Sequence, residues 1–275
     1  MKTIGVIGLG EMGLPMAANL RRRGFAVRGY DTRDDVRKVF QDGGGHLTAS
    51  AAEAVLDADA IVVMVRTAAQ AEDVVLGNGR VLDRARPGAM LIVMSTVGVA
   101  CMRRLGESAR ARGLAFLDAP VSGGRARAEQ GTLTIILGGT ARDVARARPV
   151  LEAMGSRLEH VGEIGAGTAV KMANQFLLTV SLLAAREAAA LTDAAGVPIE
   201  TAWNVLRTCT GTTWVIENWP TASGWIHQYR PGSSLDILVK DTGLALDLAR
   251  AEGVPAPILG LVSQMLVALT NQLRG

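Results

Sequence analysis

Four short stretches of this chain place chemically useful residues at telling spacings. The first is Gly8-Leu9-Gly10-Glu11-Met12-Gly13. Residues 2–9 (KTIGVIGL) read as a short, buried, β-branched strand, and residues 14–23 read as a helix. Asp31 follows a second apolar run, residues 25–30, about 20 residues beyond the glycines. This is the context of a dinucleotide-binding turn rather than a bare glycine pattern. The first glycine permits the tight turn, the second lets the backbone approach a pyrophosphate, and the third lets helix and strand pack closely. The pyrophosphate would rest on unsatisfied N–H groups at the helix N-terminus. A carboxylate at Asp31 accepts from ribose hydroxyls and repels a 2′-phosphate, which favours NAD. Arg33, two residues on, could hold a 2′-phosphate if Asp31 turned away, so NADP stays open. The plainer alternative is that residues 31–34 form a solvated turn and helix cap.

The second stretch is Asp118-Ala119-Pro120-Val121-Ser122-Gly123-Gly124, followed by Gly131-Thr132-Leu133-Thr134. A Ser-Gly-Gly turn offers N–H groups and a hydroxyl that can hold a carboxylate. Steric need for glycine in a tight turn explains it equally well. The third runs from Gly165 to Gln175 (GAGTAVKMANQ). Lys171, Asn174 and Gln175 fall at i, i+3 and i+4, hence on one helical face. A lysine whose pKa is lowered by burial serves as a general acid or base, and amides can hold a substrate in register. An ordinary polar helix face has the same spacing. In the fourth, residues 236–245, Lys240 and Asp241 interrupt an apolar helical face. They form either a salt-bridged surface or a second polar cluster.

The elements that must position these residues fall into two regions. Residues 1–162 alternate strand and helix, with continuous apolar runs at 60–65 (AIVVMV) and 89–94 (AMLIVM), and shorter ones at 114–117 and 133–137. That alternation predicts a Rossmann-type α/β domain with a doubly wound parallel sheet, whose ligands bind at the carboxyl ends of the strands. The second region is 163–275, and after Gly167 the strand signal disappears. Residues 168–195 contain no Pro or Gly and predict one interdomain helix of about 28 residues, about 40 Å long. Gly196-Val197-Pro198 should stop it. Further helices are expected at 199–206, 234–252 and 258–273, giving an all-α C-terminal domain for substrate binding and oligomerisation.

Composition excludes several function classes. The chain has 275 residues, 49% hydrophobic and 20% charged, with a net charge of +3, as in ordinary globular proteins. Aromatic content is 4%, so no base-stacking platform suggests nucleic-acid binding. Arg21-Arg22-Arg23 is explained by the end of the first helix. Cys101 and Cys209 make no CxxC pair. His46, His160 and His227 share no ligand spacing, so no metal site is expected. No run of 18 uninterrupted apolar residues occurs and the first strand begins at once, so neither a membrane span nor a signal peptide is expected. The expected compartment is the cytoplasm.

Taken together, the four stretches resemble the β-hydroxyacid dehydrogenase family, which includes 3-hydroxyisobutyrate dehydrogenase, tartronate semialdehyde reductase and L-threonate dehydrogenase. The motifs GLGEMGLPMAANL, DAPVSGG with GTLTIILGG, GAGTAVKMANQ and VKDTGLAL occur in family order over nearly the whole chain. The resemblance implies NAD(P)-dependent interconversion of a small hydroxy acid and its oxo form. It implies that Lys171 is the catalytic lysine, exchanging a proton with the substrate. It implies that Asn174 orients the substrate, and that Ser122, Gly123 and Gly124 hold its carboxylate. Gln175 stands where many members carry a second asparagine. Lys240 matches a cofactor-contacting lysine, with Asp241 its usual neighbour. Thr96 matches a threonine beside the nicotinamide, and Met64 and Val65 match residues against the adenosine. Arg66 replaces a proline common there. Imine reductases related to the family lack the lysine, so Lys171 speaks against a reductase of that kind. A non-catalytic dinucleotide-binding scaffold is the alternative from another class, and intact Lys171 argues against it too. The resemblance implies a homodimer or homotetramer. Substrate choice is expected to lie in residues 214–228, where Trp214, Glu217, Asn218, Trp219, Trp225 and His227 crowd together. Trp214-x-x-Glu217-Asn218 resembles the threonate branch, although tryptophans also pack cores and interfaces.

Overall fold

Unbroken apolar runs become strands covered on both faces, and here successive side chains divide between two cores. The computed structural model describes residues 1–274. The chain divides into two compact units, Met1–Lys171 and Met172–Gly275.

The first unit holds a nine-stranded sheet: β1 (Thr3–Ile7), β2 (Ala26–Tyr30), β3 (His46–Leu47), β4 (Ala60–Val63), β5 (Met90–Val93), β6 (Ala115–Asp118), β7 (Val121–Ser122), β8 (Leu133–Gly138) and β9 (Gly155–Gly162). Its helices are α1 (Gly13–Arg22), α2 (Asp34–Asp42), α3 (Ala51–Ala54), α4 (Ala68–Val75), α5 (Val81–Arg84), α6 (Val99–Ala111), α7 (Gly124–Gln130) and α8 (Ala141–Leu151). The strand order is β3-β2-β1-β4-β5-β6-β8-β7, with β9 beside β8. From β3 to β6 all pairs are parallel. Ile4, Val6, Val62 and Ile92 pack into one core, while Ile61, Val63, Leu91 and Val93 pack into the other.

The sheet departs from the expected all-parallel form at β8. That strand runs antiparallel to both β6 and β7, and parallel to β9. β6 and β7 are two parts of one bent strand. Asp118 pairs Gly138, the Ile136 N–H donates to the Pro120 carbonyl, and Val121 pairs Ile135 in unbroken register. Pro120 lacks an N–H and splits the ladder. β9 (GSRLEHVG) is mostly exposed and carries no alternating apolar pattern, so no local pattern marks it as a strand.

α9 (Ala166–Ala194) is a 29-residue helix that starts two residues earlier than its sequence signal. The division between the two units falls within its second turn. Its end is a Schellman-type stop: Gly196 has φ of +74°, its N–H bonds to the Asp193 carbonyl, and Val197 N–H bonds to Thr192. The rest of the second unit is α10 (Ile199–Leu206), α11 (Trp214–Glu217), α12 (Trp219–His227), α13 (Ser234–Ala251) and α14 (Pro257–Arg274). Leu182, Trp203, Val215, Leu235 and Leu266 form its core. α9 alone among the described helices has the length and apolarity of a membrane span, a test that a soluble core helix also passes. Of its most apolar stretch, 44% is buried.

Candidate active site

The strand order reverses between β1 and β4, and the expected dinucleotide residues of the first unit follow the carboxyl ends of its strands, while Lys240 lies on α13 of the second unit. Gly8 follows β1 with φ of +90°, and a Cβ there would overlap the Met64 carbonyl beyond β4. A Cβ on Gly13 would overlap the Gly8 carbonyl, so the turn closes only with glycine at both positions. Gly10, Glu11 and Met12 N–H groups find no acceptor among the described residues. α1 then begins without a side-chain cap and without an acid in its first turn. An anion is the partner such a helix end lacks. A cavity of about 470 Å³ opens beside this turn, lined by Leu9, Gly10, Glu11, Leu14, Arg33 and Val36 among others.

Asp31, one residue beyond β2, is buried rather than a solvated cap. Its Oδ2 accepts the Leu9 N–H at 2.8 Å, which ties it to the glycine turn. Its Oδ1 accepts the Arg33 backbone N–H at 3.0 Å and Nε at 3.1 Å. Burial pushes this carboxyl up, but the Arg33 guanidinium and the two backbone donors outweigh it and hold it below the usual carboxylate range. Met64 and Val65 continue from β4, and Val65 N–H donates to Ser95 Oγ at 2.8 Å. Thr96 is the next residue, half-buried beyond β5. These features suit a dinucleotide: a glycine turn with free N–H donors, a helix N-terminus, and a fixed carboxylate at the end of the second strand.

The Ser-Gly-Gly turn follows the bent strand. Ser122 closes β7 by pairing Thr134. Gly123 and Gly124 have φ of +129° and +64°, and their N–H groups have no acceptor among the described residues. Asp118, fully buried at the end of β6, joins this strand to α9. It accepts Gly165 N–H at 3.0 Å, Thr168 N–H at 2.9 Å and the Thr168 hydroxyl at 2.6 Å. Burial pushes its carboxyl up to about 6, against the opposing pull of Thr168, Gly165 and Gly167. Gly167 allows the close approach this requires, since a Cβ there would lie 2.6 Å from the Ile136 carbonyl. Lys171, buried at 8% exposure, follows Thr168 by three residues on the same helix. Asp118 is a site residue that its local sequence does not single out. Its signal was a charge ending the apolar run Ala115-Phe116-Leu117.

In the second unit, Asn174 and Gln175 join Lys240 and Asp241 in one polar chain. Asn174 Nδ2 donates to Gln175 Oε1 at 3.0 Å, Gln175 Nε2 donates to Asp241 Oδ2 at 2.8 Å, and Lys240 pairs with Asp241 Oδ1. Asp241 is almost wholly buried, so Lys240 and Asp241 are not a solvated surface pair. Among the described residues, no cluster of His, Cys, Asp or Glu could hold a metal ion.

Comparison with known families bears on this arrangement. Residues 3–162 match the model described as the NAD binding domain of 6-phosphogluconate dehydrogenase. Residues 165–275 match the NAD-binding region of NADP-dependent 3-hydroxyisobutyrate dehydrogenase. The chain belongs to the β-hydroxyacid dehydrogenase family. An NAD-dependent L-serine dehydrogenase of Pseudomonas aeruginosa is 35% identical, over 99% of this chain and 93% of that protein. An L-threonate dehydrogenase of Cupriavidus necator is 38% identical, over 96% and 89%. The structure of Mycobacterium tuberculosis 3-hydroxyisobutyrate dehydrogenase with L-serine superposes with a TM-score of 0.89 at 35% identity, covering 98% of this chain and 94% of that one. This β-hydroxyacid dehydrogenase is thus an NAD(P)-dependent oxidoreductase of hydroxy acids.

Within this dehydrogenase the tryptophans divide in role. Trp203 is fully buried and meets Trp219 edge to face, with centroids 5.2 Å apart. Trp214 is exposed and stacks on Trp225 at 5.9 Å, with 19° between planes. Glu217 and His227 are both exposed.

Proposed function

We propose that this dehydrogenase oxidises a small β-hydroxy acid reversibly at its carbinol carbon, with Lys171 as general acid and base. The observation that carries this reading is Asp118. One buried carboxylate ends the strand leading into Ser122-Gly123-Gly124 and also holds the first turn of α9, where Lys171 follows. Ser122, Gly123 and Gly124 then bind the substrate carboxylate through the Ser122 hydroxyl and the unpartnered backbone N–H groups. Lys171 Nζ takes the hydroxyl proton as the alcohol becomes a carbonyl, and returns it in the reverse direction. Asn174 orients the substrate, and Gln175 supports it. The nicotinamide, when bound, supplies the two-electron acceptor.

The residues assigned to that cofactor are Gly8, Leu9, Gly10, Glu11, Met12, Gly13, Asp31, Met64, Val65, Thr96 and Lys240. Asp31 favours NAD, since its carboxylate is fixed where a 2′-phosphate would be repelled. We place the boundary between the cofactor region and the substrate region at residues 162 and 163.

We further assign a homo-oligomer. Leu177, Ala184 and Leu191 recur every seven residues on α9, and the two leucines are 62% and 74% exposed. Apolar side chains in such a stripe suit burial against another copy. The free cysteines, Cys101 buried and Cys209 exposed, accord with the reducing cytoplasm.

The test is initial-rate reduction of NAD+ and NADP+ with short hydroxy acids, run beside Lys171→Ala. Turnover should fall about 10²- to 10⁴-fold in the variant while NAD binding persists. Full activity in the variant would remove Lys171 from the mechanism.

A further inference from the structure

The geometry points to Gln175 and Asp241 as the pair that fixes Asn174 as a hydrogen-bond acceptor toward the substrate. The substrate class is then an acid bearing a hydroxyl or ammonium, rather than a methyl, on the carbon between carboxylate and carbinol. This inference rests on the reading of Asn174 as a substrate contact.

The polar chain of the second unit sets which way each amide faces. A side-chain amide has an accepting face and a donating face of nearly equal shape, so its orientation is set by its partners. Asp241 is 1% exposed and pairs with the Lys240 ammonium. A carboxylate in that pairing takes only donors, so the group 2.8 Å from its Oδ2 must be the Gln175 NH2. The Gln175 carbonyl oxygen therefore faces the other way, toward Asn174. There it receives Asn174 Nδ2 at 3.0 Å. Turning either amide over would set two acceptors or two NH2 groups against each other. One N–H of the Asn174 amide is thus held by Gln175, which fixes the amide's orientation. Its Oδ1 receives no donor among the described residues, and Asn174 is exposed.

An open amide oxygen discriminates between substrates of the same shape. Glycerate, serine and 3-hydroxyisobutyrate share the frame HOCH2–CH(X)–COO⁻, with X a hydroxyl, an ammonium and a methyl group. The three groups are close in size. Only the first two can donate to Oδ1; a methyl group displaces water from that oxygen and returns nothing. Gln175 is essential to this choice, because without its bond to Asp241 the Asn174 amide is free to turn its NH2 outward.

The experiment measures kcat/KM with saturating NAD+ for each enantiomer of the three acids, in the wild type, Gln175→Asn and Asn174→Ala. The wild type should favour glycerate or serine over 3-hydroxyisobutyrate by about tenfold or more, as a site built to bond a polar group does. Gln175→Asn, one methylene shorter, withdraws the donor from Asp241, and the preference should fall several-fold. The readout is a quotient within one preparation, so partial loss of folded protein cancels. A wild-type quotient at or below unity overturns the proposal. A quotient unchanged in Gln175→Asn, with KM raised for all acids in Asn174→Ala, overturns the relay and leaves Asn174 as a substrate contact. Unchanged KM in Asn174→Ala, or no turnover of any acid by the wild type, overturns the underlying reading and the proposal with it.

Discussion

Asp118 accepts the Thr168 hydroxyl at 2.6 Å and the Thr168 backbone N–H at 2.9 Å, so one buried residue pair joins the end of β6 to the first turn of α9. The carboxylate caps a helix end whose N–H groups would otherwise be unpaired, and it favours the positive end of the helix dipole. Whatever moves this pair moves the start of the helix that carries Lys171.

Thr168→Val keeps the shape and removes the hydroxyl. The lost bond to a buried carboxylate should cost about 1–3 kcal/mol of stability. If Lys171 acts as assigned, kcat should fall about 10- to 100-fold, because small misplacements of a reacting group are costly. KM for the acid and NAD affinity should change little. Thr168→Ser should restore kcat. Equal losses in kcat and in NAD binding would make the pair a fold element with no part in positioning Lys171.

Asp118 also gives a pH signature. Its pKa is about 6 in the folded chain, above the value of an unfolded aspartate. The folded state therefore binds more protons than the unfolded state between about pH 4 and 6, and this residue's contribution falls as pH rises through that window. The span is of the order of 3 kcal/mol. Denaturant unfolding of the wild type and Asp118→Asn at pH 4.5 and 7 isolates it. The wild type should gain on the variant at the lower pH. A constant difference would mean that Asp118 does not titrate there.

Much of this was legible in the chain. Val6, Val62 and Ile92 lie in unbroken apolar runs, and two-sided burial is the environment such runs need. Gly8 and Gly13 were readable because the turn leaves no room for Cβ atoms there. Pro120 hid the antiparallel turn of the sheet, since a kinked strand looks like two short runs. β9 was illegible because its exposed residues, such as Arg157 and Glu159, answer to solvent rather than to a core. Asp118 was missed for a different reason. Its donors lie 47 and 50 residues away, and no local pattern records a partner at that distance. The chain from Asn174 to Asp241 spans a similar gap, whereas the i, i+3, i+4 spacing of Lys171, Asn174 and Gln175 was visible at once.

Arg33 and Asp31 should set cofactor choice together. The guanidinium occupies the carboxylate that would receive ribose hydroxyls, at 3.1 Å from Oδ1. Arg33→Ala should raise the ratio of kcat/KM for NAD+ over NADP+, since Asp31 keeps its Leu9 anchor and loses its cation. Asp31→Asn should lower that ratio about tenfold or more, by removing the repulsive charge and freeing Arg33 for a 2′-phosphate. Steady-state rates with both cofactors and one acid decide it. Equal ratios in all three proteins would take this corner out of the cofactor site.

Leu177 and Leu191 supply the test of assembly. Both are largely exposed, so a charge at either position should alter monomer stability by less than about 0.5 kcal/mol. In an oligomer that buries this face, the same charge would be trapped among apolar side chains at a cost of several kcal/mol. Leu177→Glu with Leu191→Glu should therefore convert the wild-type oligomer to a monomer by light scattering, with far-UV circular dichroism unchanged. A doubly substituted protein of wild-type mass would move the interface elsewhere on the chain. A wild type that already runs as a monomer would end the homo-oligomer assignment, and the stripe on α9 would then need another explanation.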